Sequence, residues 1–256
     1  MFKRLTRYLA TAFCLLPALA AAHFQTLIPS HELLHEGTPR LVQLDLRFTH
    51  PMLGGPTMHM GQPLRFGVLG PEGDRDLRDA LSTYQVDGQT AYRAEYRVTR
   101  PGDHLFYLQP APYWEPAEGK MIEHFTKVVV DAFAGEPGWD RLVGFPVEIE
   151  PLTRPYGLWT GNLFQGVVRR DGEPVPFAQV EIAWLNDGSI TPPADAYVTQ
   201  VTKADANGTF SYALPRAGWW GFAALLEGPE KLRNPAGEAV PVEQGALIWI
   251  RARDMQ

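Results

Sequence analysis

Cysteine is almost absent from this chain of 256 residues, because its one cysteine, Cys14, lies near the amino terminus. Cys14 falls inside a segment with the features of a secretory signal peptide, so we expect the mature protein to contain no cysteine. This excludes disulfide bonds and thiolate metal ligands, and leaves nitrogen, oxygen and thioether groups as candidate ligands. Histidine is missing from the second half, since all seven histidines precede residue 125. A histidine-based metal site is therefore expected only in the first half.

Long apolar runs are also missing. Residues 1–22 combine basic residues, an apolar stretch over residues 8–19 and an alanine-rich end with A-x-A cleavage geometry, which is typical of a signal peptide. Pro17 interrupts the apolar stretch, and the stretch falls short of the roughly 20 residues that a membrane-spanning helix needs. We therefore expect cleavage after Ala20 or Ala22, export to the periplasm and a soluble mature chain.

Basic residues are fewer than acidic residues. The chain has 23 Lys and Arg against 29 Asp and Glu, a net charge of −6, and loss of Lys3, Arg4 and Arg7 with the signal peptide would lower it to −9. Such an acidic protein is a poor partner for nucleic acid and tolerates cations. The sequence also has no nucleophile elbow, H-E-x-x-H or paired-carboxylate motif, so we predict that it is not an enzyme.

Sustained helical periodicity is likewise missing, while glycine and proline are scattered between short segments of alternating apolar residues. This pattern is typical of β-sandwiches, and we predict an all-β protein of two β-sandwich domains. The first, residues 23–150, is expected to be Ig-like, and the second, residues 156–256, to follow a passage over residues 146–155. A short helix is predicted only around residues 74–81. Asn207-Gly208 predicts a hairpin turn.

Two predicted strands carry histidine on an apolar face. Over residues 42–50 the even positions are apolar up to His50, and over residues 121–131 His124 shares a face with aliphatic residues. We therefore expect both imidazoles to point to the core side of their strands. Lys127 falls on the face opposite His124, and is predicted to be a surface residue or the partner of a carboxylate.

The segment after His50 is rich in proline, glycine and methionine. Its end carries Met58, His59 and Met60 in succession. Imidazole suits nickel, copper and zinc, and a thioether adds soft character, so His50 with these three residues is a candidate metal site. Alternatively, His50 is a core histidine and the methionines fill gaps beneath the loop.

Signal cleavage would place a second chelating group at the amino terminus. Cleavage after Ala20 leaves His23 in the third position, where the amine, two amides and the imidazole can form a square plane of nitrogens suited to Cu(II) or Ni(II). Cleavage after Ala22 makes His23 the first residue, whose amine and imidazole form a two-nitrogen chelate. His23 is therefore a candidate ligand in either case.

Over residues 23–226 the chain resembles a periplasmic family associated with nickel and cobalt uptake transporters of the energy-coupling-factor type. The segments that carry this resemblance are residues 22–25, 28–30, 44–52, 54–58, 111–116, 124–128, 151–155 and 217–222. The resemblance implies an accessory protein that handles the metal for a membrane permease. It does not define the ligands.

The second half resembles the carboxypeptidase regulatory-like, transthyretin-related sandwich family. The matching elements are a Gly-x-Val strand, a Gly-x-Pro-Val-x-x-Ala-x-Val strand and a Thr-x-x-Asp-x-x-Gly-x-Phe segment within residues 166–210. This resemblance implies a transthyretin-like Greek-key sandwich that serves as a structural or interaction module.

Together these features predict a periplasmic accessory protein that binds nickel or cobalt, with copper as a further candidate metal, and that acts with a membrane permease. The predicted metal ligands are His23, His50, Met58, His59, Met60 and His124. One alternative is a structural β-sandwich module of the cell envelope. Another is a copper oxygenase that uses an amino-terminal histidine brace.

Overall fold

The computed structural model describes residues 23–135 and 137–255, so the predicted signal peptide lies outside the described residues. Its first strands are β1 Phe24–Pro29, β2 Leu33–Leu34, β3 Leu41–Thr49, β4 Thr57–Met58, β5 Arg65–Gly70, β6 Gly73–Asp76, β7 Ser82–Val86, β8 Gln89–Arg97, β9 Gly102–Gln109, β10 Tyr113–Glu115 and β11 Lys120–Ala132. The later ones are β12 Val147–Pro151, β13 Leu158–Trp159, β14 Leu163–Arg170, β15 Glu173–Pro174, β16 Gln179–Trp184, β17 Gln200–Lys203, β18 Thr209–Ala213, β19 Gly218–Glu227, β20 Leu232–Arg233, β21 Ala239–Val240 and β22 Val242–Arg253. Short 3-10 helices occupy Pro51–Leu53, Arg78–Ala80 and Asp195–Tyr197. None of these described segments is a helix long and apolar enough to cross a membrane.

The described strands form a layered all-β fold, as predicted. A large sheet has the order β17-β16-β19-β22-β11-β9-β5-β6, a second has the order β1-β3-β8-β7, and a third the order β12-β14-β15. One core contains side chains of the second sheet and of the large sheet, and the other contains side chains of the third sheet and of the large sheet. Along β22, Leu247 and Trp249 belong to the core between the large sheet and the second sheet. Ile248 and Ile250 belong to the core between the large sheet and the third sheet. The large sheet is therefore covered on both faces, which is why β22 is an almost continuous apolar run.

The large sheet contains strands from both halves of the chain. β11 from the first half pairs in parallel with β22 from the second, in register from Met121↔Val242 to Val128↔Trp249. The predicted passage over residues 146–155 contains β12, which pairs with β14 of the second half. Because parallel pairing requires no local turn, this arrangement has no signal in the sequence. That residues 23–150 and 156–256 fold as independent domains stays a prediction.

The helix predicted around residues 74–81 is wrong. Residues Gly73–Asp76 form β6, which pairs with β5, and only Arg78–Ala80 make a single 3-10 turn. Leu77, the residue between them, is buried in the core. Pairing with β5 therefore takes precedence over a local helical pattern in a segment too short to stabilise a helix on its own.

The Asn207-Gly208 segment forms a turn, with Gly208 at a φ of 75°, but the hairpin prediction is wrong. β17 before the turn pairs with β16, whereas β18 after it pairs with β14 in another sheet. The Asp205 carboxylate accepts the backbone N–H groups of Asn207 and Thr209 at 2.8 and 2.9 Å and stabilises the turn. The chain therefore passes from one layer to the next here.

Lys127 is buried and paired, which excludes the surface position and agrees with the predicted carboxylate partner. Its ammonium lies 3.1 Å from a carboxylate oxygen of Glu148, and the two side chains are 2% and 4% exposed. Glu148 also accepts hydrogen bonds from the backbone N–H groups of Val143, Gly144 and Phe145 at 2.7 to 3.0 Å. Burial, the largest influence, lowers the pKa of Lys127, while Glu148 acts to raise it. The pair joins β11 to β12 and to the loop before it.

We predict that breaking this pair strongly destabilises the fold. Glu148→Leu should lower the free energy of unfolding by about 3–5 kcal/mol, because it leaves a buried ammonium without its counter-charge. The double variant Lys127→Met, Glu148→Leu should lose less than the two single variants together. Urea denaturation followed by circular dichroism measures these losses.

The exposed pair Arg100–Glu72, at 3.9 Å, provides the control, and Arg100→Ala should change stability by less than about 1 kcal/mol. A loss for Glu148→Leu no larger than that of the control would contradict a structural role for the buried pair.

Glu181 on β16 titrates abnormally. Burial, the largest influence, raises its pKa to about 7, and Glu243 and Glu118 raise it further, while a hydrogen bond with Gln179 and the charge of Lys120 oppose them. The folded state therefore binds more protons than the unfolded state between the ordinary value of 4.5 and about 7. Stability consequently falls as pH rises through this window.

We predict that Glu181→Gln removes this fall in stability. The variant should be more stable than the wild type at pH 8, by roughly 1–3 kcal/mol, and differ least below pH 4.5, where both side chains are neutral. Thermal melts at a series of pH values provide the measurement, with the exposed residue Glu173 changed to Gln as control. Parallel pH curves for wild type and Glu181→Gln would show that Glu181 titrates normally.

Candidate metal centre

Strand pairing brings the imidazoles of His23 and His50 together. β1 and β3 are antiparallel, with Phe24 opposite Thr49, so His23 before β1 and His50 after β3 meet at the same end of the pair. Their ring centres are 4.6 Å apart and the ring planes are inclined by 46°. The two side chains are only partly exposed. The structure thus brings together two of the residues that the sequence nominates as ligands.

A carboxylate lies beside this histidine pair. The Nε2 atom of His23 is 3.3 Å from the Oε2 atom of Glu115, which is buried on β10. The other carboxylate oxygen accepts the backbone N–H of Ala117 at 3.0 Å. Sequence reasoning did not nominate Glu115. One feature of the sequence distinguishes Glu115: it is the only charged residue in the proline- and aromatic-rich segment over residues 110–116.

Aromatic rings surround His23. Its ring stacks on Phe48 with centres 5.6 Å apart, and Tyr113 lies 6.1 Å away. Burial, the largest influence, lowers the pKa of His23, although the charges of Glu115 and Glu118 act to raise it. A lowered pKa keeps the imidazole neutral near pH 7, and a neutral imidazole has the lone pair that a metal needs.

His124 lies nearby on β11 but is far more deeply buried. Its ring contacts the edge of Phe48, with centres 5.4 Å apart. Burial, the largest influence, lowers its pKa to about 3, and the charge of His23 lowers it further. Opposite His124 on β22 is Gly245, where a β-carbon would lie 2.5 Å from the imidazole, so only glycine leaves room for the ring. The predicted apolar face is confirmed for this residue.

The three residues of the methionine loop have different surroundings. Met58 on β4 is half-buried opposite Phe48, and His59 is exposed. Met60 is only 2% exposed in a core cluster, and its sulfur accepts a hydrogen bond from the Gln25 amide at 3.6 Å. For Met60, the structure agrees with the alternative that the methionines fill gaps beneath the loop. Its sulfur already has a partner, and its role as a ligand stays a prediction.

The remaining histidines lie elsewhere. His104 is buried on β9, where its Nδ1 atom is 3.0 Å from the carbonyl oxygen of Gly102. His31 and His35, in the segment between β1 and β3, have Nδ1 contacts with Ser30 and with the carbonyl of Glu36. Across residues 23–135 and 137–255, no group of three or more His, Cys, Asp or Glu side chains is arranged to hold a metal ion. Side chains of these types alone therefore do not complete a centre.

Sequence comparison relates most of the chain to one family. Residues 20–228 match the family described as Domain of unknown function (DUF4198). The chain belongs to this family. The family description assigns no activity, and no curated protein gives a significant match to the sequence.

Solved structures are only distantly similar to this DUF4198 protein. The adhesin InvE of Yersinia pseudotuberculosis is 11% identical at a TM-score of 0.24, with 87% of this chain and 58% of that chain covered. A Ca2+-stabilized adhesin of an Antarctic bacterium is 10% identical at a TM-score of 0.24, with 91% and 50% covered. This chain thus spans between half and two thirds of the length of these two structures. Similarity this low carries no functional argument.

Proposed function

We propose that this DUF4198 protein is a periplasmic, non-enzymatic accessory protein of a nickel or cobalt uptake transporter, and that it holds the metal at its mature amino terminus. The observation that carries the proposal is the pair of imidazoles of His23 and His50, with ring centres 4.6 Å apart. Imidazole suits nickel and copper, and the residues from His23 onward include no cysteine whose thiolate could compete for the metal.

Glu115 supports a terminal chelate because of the atom that it contacts. It lies 3.3 Å from Nε2 of His23, and a carboxylate there favours the tautomer with its proton on Nε2. The Nδ1 lone pair is then available beside the α-amine, and the two form a chelate ring when His23 is the first residue. Such carboxylate–histidine contacts orient ligands and raise their basicity in known metal sites.

In this proposal the protein fills only part of the metal's coordination shell. The amine and imidazole of His23 and the imidazole of His50 supply three nitrogens, while nickel and cobalt accept four or more ligands. The Met58 thioether on the neighbouring strand and a ligand from outside are candidates for the remaining positions. An open coordination position suits a protein that passes its metal to a membrane permease, because a partner can attack without first displacing a protein ligand.

A copper oxygenase with a histidine brace is a second candidate, favoured by the same pair of imidazoles and by Tyr113 beside His23. It requires cleavage after Ala22. Preference for copper over nickel and peroxide-dependent attack on a polysaccharide would support it.

A structural envelope module is the third candidate. The lack of a three-residue ligand group among the described residues favours it, as do the exposed apolar side chains of Leu152, Trp159 and Leu163. Such a module would show no stoichiometric metal binding at all.

We predict that His50→Ala weakens nickel binding to the processed protein by at least about tenfold, because it removes one of few ligands. One extra glycine before the mature terminus should also weaken binding, and the two changes together should cost less than their sum, since both act on one ion. Glu115→Gln should weaken binding by about 10- to 100-fold. Isothermal titration calorimetry with nickel and with cobalt measures the affinities of the wild type and of these four variants.

His35→Ala provides a matched control, because His35 is an exposed histidine in the segment between β1 and β3, and it should leave the affinity unchanged. Unchanged affinity after both His50→Ala and the terminal extension would exclude the proposed centre.

A further inference from the structure

A cavity of about 400 Å³ is lined by residues of β3, β10, β11 and β20, together with residues of the segments between strands. Its volume falls in the range of roughly 300–1,000 Å³ that is typical of sites for small organic molecules. Neither His23 nor His50 belongs to the described lining. The cavity is therefore distinct from the proposed metal centre.

The lining is largely apolar and aromatic. Phe48, Tyr113 and Trp114 contribute aromatic rings, and the rings of Phe48 and Tyr113 meet edge to face with centres 5.0 Å apart. The apolar side chains beside them are those of Met60, Pro110, Pro112, Met121, Ile122 and Pro235. A planar ring makes stacked or edge contacts with such aromatic side chains that a flexible alkyl chain cannot make. The lining therefore favours a ligand with an aromatic ring.

Arg233 is the only charged residue of the described lining, and it is exposed. One guanidinium N–H donates to the carbonyl oxygen of Gly237 at 2.6 Å, and no carboxylate of the described residues pairs with this arginine. The Asn234 carboxamide oxygen stabilises the same turn, because it accepts the backbone N–H groups of Ala236 and Glu238 at 3.0 and 2.9 Å. A guanidinium carries several N–H donors in a planar fork that matches a carboxylate. Arg233 is therefore held in place with donors left for a ligand.

We propose that this cavity binds a small aromatic monocarboxylate, with its ring against Tyr113 and Trp114 and its carboxylate paired with Arg233. The single cation of the lining matches one negative charge, whereas a second charge would lie against apolar surface without a partner. A neutral ring compound would lack the charge-assisted hydrogen bonds to the guanidinium. The inference goes beyond the proposed metal function and does not depend on it, because the three residues that carry it are not proposed metal ligands.

The test compares three compounds on the mature full-length protein by isothermal titration calorimetry, without added metal. Indole-3-acetate has the proposed ring and charge, indole-3-acetamide has a similar shape without the charge, and octanoate has the charge without the ring. We expect indole-3-acetate to bind at one site per protein. The other two compounds should bind at least about tenfold more weakly, because each lacks one of the two proposed contacts.

Arg233→Gln should weaken the binding of indole-3-acetate at least about tenfold and leave that of indole-3-acetamide nearly unchanged, because only the acid pairs with the guanidinium. Arg97→Gln is the matched control, since it removes the same charge from an exposed arginine outside the lining, and it should behave as the wild type. Ala111→Phe, which adds a ring to the lining, should weaken the binding of acid and amide alike. If Ala111→Phe fails to fold, Arg233→Gln decides, because Arg233 is exposed.

Three results overturn the inference. One is the absence of saturable binding of indole-3-acetate to the wild type. Another is an affinity for indole-3-acetate that Arg233→Gln leaves unchanged, or lowers no more than it lowers the affinity for the amide. The third is octanoate that binds as tightly as indole-3-acetate, because the aromatic lining then selects no ring. Each of these results leaves the proposed metal centre to its own test with nickel.

Discussion

The indole of Trp249 holds the first strand, and with it the candidate site, on the large sheet. Trp249 is fully buried at the end of the ladder between β11 and β22, and its N–H donates to the carbonyl oxygen of Gln25 at 2.9 Å. Its ring also packs on the edge of Phe24, with centres 6.1 Å apart. Gly221 on β19 makes room for it, since a β-carbon there would lie 2.8 Å from the indole. The position of His23, one residue before Phe24, therefore depends on a contact with the last strand of the fold.

Local patterns in the sequence predict the individual strands well and their partners poorly. The alternation around His50 predicts β3, and the apolar face around His124 predicts β11, because each pattern is a property of one segment and its two faces. The pairing of β11 with β22 joins residues more than a hundred positions apart and has no local turn to announce it. The Asn207-Gly208 turn has the residues typical of a hairpin. The strands on either side of it nevertheless pair with strands of two different sheets, β17 with β16 and β18 with β14.

For the candidate site, the chemistry of the ligand residues is predictable from the sequence, but the burial of the groups around them is not. Histidine has a limited set of roles, so the chemistry of His23 and His50 can be recognised from residue type and position. Glu115 and Lys127 differ from them, because a carboxylate or an ammonium is an ordinary surface group until the fold buries it. Met60 is the opposite case, because it belongs to a loop of polar sequence and yet is buried in the core. There its sulfur accepts a hydrogen bond from the Gln25 amide. Burial depends on the tertiary arrangement, so no local pattern separates these cases.

Burial around the histidine pair also shapes the chemistry that the site can perform. Apolar surroundings lower the pKa of His23 and keep its imidazole neutral, but they also disfavour an ion that arrives with its full positive charge. Glu115 offsets part of that cost with one negative charge. Glu115 therefore has two effects on the site: its contact orients the imidazole of His23, and its charge favours a bound cation.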